Sequence, residues 1–313
     1  MRQAVRGCLA AAAAALAAAC SAPAAPAAAP APAGRPRPLP RVLYGVTADD
    51  LSGLAGLVAA DRHLPERPVT RLYFDAAQPP AAYAAAVRAL RPVSYLMGEL
   101  LDSSDEAGVG VVAYGRRVRA YLDAFGSSVD VWEVGNEVNG DWTGPYPQVE
   151  AKLAEAYGQV AARHLPTALT LYYNAGCGDG AGELDPVAFS RKYVPAGVRD
   201  GLSYVFLSYY EDACGGARPS AAAWTAYFRE LHALYPRARV GFGEVGMQHP
   251  ATKATAAAAG SLIARYYGLK IALPYYAGGY FWWYYAEDCV PYSAKPLWRS
   301  LAAGFRAEAK ALA

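Results

Sequence analysis

From residue 41 onward the chain alternates short runs of β-forming residues with longer, alanine-rich stretches of helical period, eight of each. The strand candidates are Val42 to Thr47, Val69 to Asp75, Val93 to Gly98, Val129 to Glu137, Ala168 to Asn174, Leu202 to Tyr209, Arg239 to Val245 and Gly279 to Tyr285. Val149 to His164 and Ala221 to Tyr235 exemplify the helical stretches between them. Strands that alternate with helices pair in parallel, because a parallel connection needs a crossover long enough to hold a helix. Eight such units predict an α/β fold, a single (β/α)8 barrel, whose usual size is roughly 250 residues. An open doubly wound sheet calls for a glycine-rich phosphate loop after its first strand, and Gly45-Val-Thr-Ala-Asp-Asp offers none. The long apolar stretch from Leu269 to Ala286 contains Pro274, Gly278, Gly279 and consecutive aromatics, so it reads as a loop and a buried strand and not as a membrane span.

The residues before the barrel are of another kind. Arg2 and Arg6 precede an apolar run from Cys8 to Ala19, too short to cross a bilayer but of the length of a secretory signal core. The run ends Leu16-Ala-Ala-Ala-Cys20, which resembles the lipobox of bacterial lipoproteins, with Cys20 as the lipidated residue and anchor to the membrane; an ordinary signal cleaved after small residues is the alternative. Residues 21–40 are almost wholly Ala and Pro, a composition that favours an extended tether. The expected organisation is therefore a signal peptide over 1–20, a linker over 21–40 and one domain over 41–313, exported to the cell envelope or secreted.

Charge and cysteine content narrow the partners. Lys and Arg number 29 against 27 Asp and Glu, a formal charge of +2, but residues 1–40 hold four arginines and no acid. The remaining 25 bases and 27 acids give residues 41–313 a net charge of −2, which excludes a binder of many phosphates and suits an uncharged ligand. No nucleic-acid partner is expected. Neither is a metal, since no His or Cys cluster has ligand spacing, nor a cofactor; a monomer is expected. Once Cys8 is removed and Cys20 lipidated, Cys177, Cys214 and Cys289 remain, enough for one bridge and one leftover. Cys177 and Cys214 follow adjacent strands and are the preferred pair, with Cys289 in place of Cys177 as the alternative.

Barrels of this kind carry their chemistry at the carboxyl ends of the strands. The fourth run ends Trp132-Glu-Val-Gly-Asn-Glu-Val-Asn139, and the seventh ends Gly241-Phe-Gly-Glu-Val-Gly246. Strands four and seven lie on opposite sides of the barrel axis, so Glu137 and Glu244 can face each other across a central cleft. Two opposed carboxyl groups are what glycosidic hydrolysis needs, one to protonate the departing oxygen and one to attack or stabilise the anomeric carbon. A general acid must hold its proton near neutrality, which burial and an ionised neighbour favour in Glu137, whereas Arg71 near Glu244 keeps the latter ionised.

This pattern resembles glycoside hydrolase clan A, the retaining barrel glycosidases defined by an Asn-Glu pair at the end of strand four and a glutamate at the end of strand seven. The resemblance covers roughly residues 41 to 310. It implies that Glu137 is the acid/base, Asn136 a ligand of the sugar 2-hydroxyl and Glu244 the nucleophile. It also implies, among the substrate-binding residues, Arg71 on strand two near the nucleophile, Tyr209 or Tyr210 on strand six in contact with the nucleophile, and Trp282 or Trp283 on strand eight as the floor of the sugar site. Two departures stand out: Ser208 occupies the place, two residues before Tyr210, where many members carry histidine, and Asn-Glu-Val replaces the common Asn-Glu-Pro.

Other residues divide between structure and site. Glu133 reads as an interior group paired with a base; Glu99 and Asp75 as candidate substrate contacts; Glu287, Asp288 and His249 as loop residues, the two acids being possible sugar ligands. The chain has 24 Tyr against 8 Phe. Trp142, Tyr172, Tyr173, Tyr209, Tyr210, Trp282, Trp283, Tyr284 and Tyr285 cluster at or beyond strand ends, where aromatic faces could stack on sugar rings, core packing being the alternative. The expected activity is retaining hydrolysis of a poly- or oligosaccharide. A non-catalytic glycan-binding lipoprotein and a transglycosylase using the same two glutamates are the competing readings.

Overall fold

Eight strands follow one another around a closed parallel barrel: β1 (Leu43–Ala48), β2 (Val69–Tyr73), β3 (Tyr95–Glu99), β4 (Val131–Gly135), β5 (Thr167–Tyr172), β6 (Tyr204–Tyr209), β7 (Arg239–Val245) and β8 (Tyr276–Trp282), with β8 paired to β1. The structure, a computed structural model, describes residues 36–173, 177 and 183–312. The expected signal peptide, the lipidation candidate Cys20 and most of the linker lie outside the described residues. The domain's contacts begin inside the expected linker: Arg37 donates through Nε to Asp130 at 3.0 Å and through Nη1 to the Arg91 carbonyl at 2.8 Å. Among the described residues no helix is long and apolar enough to cross a membrane.

The barrel interior is built in layers by the two-residue period of its strands. Val69, Met97, Val131, Ala168 and Phe206 form, with Leu43, Ala277 and Phe281, an apolar lower plug. Two residues further along the same five strands stand Arg71, Glu99, Glu133, Thr170 and Ser208, all buried. A single pleat thus turns an apolar floor into a polar chamber at the carboxyl ends. Outward-facing residues of the same strands, such as Leu72, Leu96, Val134 and Leu207, pack beneath the helices.

The observed strands differ from expectation mainly at their ends. β4 stops at Gly135, so Glu137 lies beyond it, in the left-handed region at φ 46°. β8 runs three residues earlier than expected, from Tyr276, because Gly278 and Gly279 adopt φ values of 74° and 103° and continue the strand through a bend. The helices are also more numerous than eight, short ones such as Ser103–Glu106 and Tyr285–Cys289 being set into the loops after β3 and β8. Many tyrosines line the shell between barrel and helices instead of the mouth. Tyr114 donates to the Val134 carbonyl at 3.0 Å and Tyr267 to the Gly45 carbonyl at 2.8 Å, so the phenol fills apolar space while its hydroxyl satisfies a buried acceptor.

Candidate active site

Above the polar chamber lies a cleft of about 330 Å3, lined by Glu137 and Glu244, by Trp142, Tyr172, Tyr210, Trp283 and Tyr284, and by Asp102 and Ser103. Glu137, just after β4, and Glu244, near the end of β7, both line it and are linked through β6. Ser208 is the Cα partner of Glu244 in the sheet, and its hydroxyl donates to Glu137 Oε1.

The two carboxyl groups have different surroundings. Arg71 Nη1 and Tyr210 Oη donate to Glu244 at 2.7 and 2.5 Å, and Asn136 Nδ2 lies 3.4 Å from it. Burial pushes the Glu244 carboxyl upward, and Arg71 and Tyr210 oppose that push. Tyr210 itself, raised well above its ordinary range by burial and by Glu244, stays protonated and keeps donating. Among the described residues no cation pairs with Glu137. Its partners are hydroxyls, Ser208 on Oε1 and Ser103 on Oε2 at 3.0 Å, and burial followed by the charge of Glu244 pushes it up to about 8. One carboxyl is therefore wired to donors and a guanidinium, and the other holds its proton at neutral pH.

Arg71 supports this division from beneath. Wholly buried, it donates through Nε to Glu133 at 2.7 Å, and its Nη2 lies 3.1 Å from Glu99 without the alignment of a hydrogen bond. Burial pulls its charge down, but Glu133, Glu99 and Glu244 together hold it protonated. Glu133 also accepts from Thr170. The interior role of Glu133 beside a basic residue is thus what the structure displays.

Several of the candidate substrate-binding residues do not line the cleft. Arg71 is not on the cleft wall; with a side chain that must reach three carboxylates it fills the chamber floor. Asn136 is 2% exposed and turned to Glu244. Glu99 is fully buried against Arg71, and Asp75 caps its own turn by accepting from the Ala77 N–H at 2.7 Å. Of the strand-eight tryptophans, Trp283 lines the cleft, lying over the Arg71 guanidinium at 5.3 Å, whereas Trp282 is buried and donates to Asp288 at 2.8 Å. Tyr210, not Tyr209, meets Glu244; Tyr209 packs on Trp224 and donates to the Ala217 carbonyl. Tyr173 and Tyr285 likewise belong to the packing shell. Trp142 is 40% exposed and meets Tyr172 edge-on at 5.2 Å, and both line the cleft with Trp283. His249 is exposed. Cys177 is bonded to Cys214, and Cys289 is buried and unpaired.

Ser103 and Asp102 are site residues that sequence reasoning passed over. Asp102 caps the helix Ser103–Glu106 by accepting from the Ser104 N–H at 2.9 Å, and the Asp-Ser-Ser start after β3 is a helix N-terminus signal that could have placed Ser103 at the mouth. Among the described residues no group of three or more His, Cys, Asp and Glu is arranged to hold a metal ion.

The chain matches no protein-family model and no curated protein sequence. Its fold is shared with solved structures. A family 10 xylanase from Bispora sp. MEY-1, crystallised with xylobiose, aligns with 13% identity over 83% of this chain and 96% of its own at a TM-score of 0.58. A family 5 glycoside hydrolase from Streptomyces cattleya, in complex with Manβ1-4GlcNAc, gives 16% identity, coverages of 82% and 76% and a TM-score of 0.56. A family 26 endo-β-1,4-mannanase from Cellulomonas fimi gives 13%, coverages of 84% and 70% and 0.55. The barrel expected from eight strand–helix units is thus shared with solved structures from several glycoside hydrolase families.

Proposed function

We propose that the protein is a retaining glycoside hydrolase acting on a poly- or oligosaccharide, with Glu244 as nucleophile and Glu137 as acid/base. The observation that carries this reading is the contrast between two buried carboxyl groups on one cleft, one braced by Arg71 and Tyr210, the other protonated among serine hydroxyls. Glu244 attacks the anomeric carbon as Glu137 gives its proton to the glycosidic oxygen, and the C–O bond to the leaving sugar breaks. Glu137, now ionised, takes a proton from a water whose oxygen attacks the same carbon and releases Glu244. Trp283 supplies a flat face for the sugar next to the cleaved bond, and Trp142 with Tyr172 a second one further along the cleft. The glycosidase fold of the structural neighbours agrees with a glycan substrate.

Export belongs to the same proposal. The leader and the Ala/Pro tether suit a barrel carried out of the cytoplasm and anchored through a lipid on Cys20, near the glycan it cleaves. The test is product release from xylan, β-1,4-mannan and β-1,4-glucan by the purified domain, with Glu137→Gln and Glu244→Gln as comparisons. Each variant is expected to fold and to lose at least about a hundredfold in rate. Chain lengthening of oligosaccharides would point to a transglycosylase, and retention on the polymers without cleavage to a binding barrel. Wild-type turnover in either variant sinks the catalytic assignment.

A further inference from the structure

The two serines that hold Glu137 are not equivalent. Ser208 is fully buried in the barrel, beside Glu244 in the sheet register, and is not on the cleft wall. Ser103 stands on the cleft wall, and besides its hydroxyl contact with Oε2 its N–H donates to Asn136 Oδ1 at 3.1 Å, which turns the Asn136 amide nitrogen toward Glu244. A carboxylic acid keeps its hydrogen on one oxygen and offers the other only as an acceptor, while a hydroxyl can donate or accept by rotating.

We propose that Ser208 fixes Oε1 of Glu137 as a permanent acceptor, so that the working proton sits on the cleft-side Oε2, where Ser103 accepts it at rest and donates to the carboxylate once it has left. The Oε2–H bond breaks as the glycosidic oxygen gains the proton, and the proton taken later from water returns to Oε2; no proton is exchanged with either serine. Ser208 and Ser103 are positioning residues: Ser208 donates to Oε1 in both protonation states, and Ser103 changes from acceptor to donor at Oε2. This substrate step rests on the glycosidase reading, whereas the location of the proton does not.

The charges facing Glu137 from the neighbouring elements are Glu244 on β7 and Asp102 after β3, both of which favour the protonated form. Tyr210 after β6 is neutral, and Arg71 on β2 is spent on Glu244 and its two other carboxylates. The serine hydrogen bonds are thus the groups that favour the ionised form. A neutral donor at position 208 stabilises the carboxylate without adding a charge to the chamber, as a protonated histidine there would.

The decisive measurement is a carbon-13 NMR titration of the whole domain labelled at the glutamate carboxyl carbon, with the Glu137 signal assigned by its loss in Glu137→Gln. Removing a hydrogen bond to an ionised group is worth roughly one pH unit or more. Ser208→Ala should therefore titrate higher than wild type by about that amount, and Ser208→Thr should restore the wild-type value. Ser103→Ala should move by less, because Ser103 makes a strong bond in each state, from the acid hydrogen and then to the carboxylate, whereas the Ser208 bond strengthens only on ionisation. The alkaline limb of kcat/KM on a panel of 4-nitrophenyl β-glycosides should shift in step with each titration. An unmoved Glu137 in Ser208→Ala overturns the proposal, as does a shift in Ser103→Ala equal to or larger than that in Ser208→Ala. If Ser208→Ala does not fold, Ser208→Cys keeps a weak donor of similar size, and an unchanged titration there alongside a shifted Ser103→Ala is equally fatal. Titrations as expected with no glycan cleaved would leave the proton assignment standing and defeat the glycosidase reading alone.

Discussion

Arg71 is the residue on which the polar chamber depends. One guanidinium faces Glu99, Glu133 and Glu244, so full ionisation would leave two negative charges uncompensated among groups almost without solvent. Glu99 is the member of this set with no hydrogen-bond donor on either oxygen, and burial pushes it well above the carboxylate range against the pull of Arg71. Its folded value is raised, so its stabilising contribution is complete below about 4.5, the ordinary carboxyl value, and is lost as pH rises toward the folded value. Glu99→Gln, which keeps the shape and removes the titration, is accordingly expected to match wild type in urea midpoint near pH 4.5 and to exceed it at pH 8. An identical difference at both pH values would show that Glu99 is ionised throughout. Arg71→Met leaves Glu133 and Glu244 as unpaired buried charges, and about 3 to 5 kcal/mol of stability should be lost at neutral pH.

At the scale of elements, the alternation of strands and helices made the barrel legible, because eight parallel strands admit few other closures, and it located both glutamates to within two residues of strand ends. What escaped was set by loops and by direction. Whether Trp282 or Trp283 meets the cleft depends on the bend at Gly278 and Gly279, which changes which residues face inward after it. Ser103 reaches Glu137 only because a short helix interrupts the loop after β3. The same bend in β8 couples to the C-terminal helix Pro296–Leu312. Leu301, Phe305 and Glu308 of that helix are buried, and Glu308 Oε1 lies 3.3 Å from the Gly279 N–H. A Cβ on Gly278 would stand 2.0 Å from that same oxygen, at a φ of 74° that L-residues resist. Gly278→Ala should therefore cost more than the roughly 1 to 2 kcal/mol of the left-handed conformation alone, since it also displaces Glu308. Glu308→Ala removes the obstacle together with the acceptor, so Gly278→Ala with Glu308→Ala should cost less than the sum of the two changes by about 0.5 kcal/mol or more. Strict additivity in denaturant unfolding would mean that strand and helix do not meet as described.

For the whole molecule, the disulfide marks where the barrel's rim needs help. Cys177 follows β5 and Cys214 follows β6, 37 residues apart, and Ala213 beside the bridge is part of the cleft wall. The strands beneath are held by sheet pairing and by the Trp224 and Phe242 cluster, so the bridge is not needed to close the barrel. Its effect falls on the chain's freedom when unfolded, where closing a loop of this size is worth roughly 3 to 4 kcal/mol. An exported enzyme, as proposed above, would keep that contribution, and a reducing compartment would remove it. The Cys177→Ser, Cys214→Ser protein should melt lower by roughly 6 to 16 °C, taking about 2 to 4 °C per kcal/mol for a domain of this size. A reductant should lower the wild type to the same temperature and leave the variant unmoved. The pH profile should not change in either case, because Glu137 and Glu244 take their hydrogen bonds from Ser103, Ser208, Arg71, Asn136 and Tyr210 and none from the bridged loops' cysteines. A variant with wild-type melting, or a wild type insensitive to reductant, would show that the bridge adds nothing to the barrel's stability.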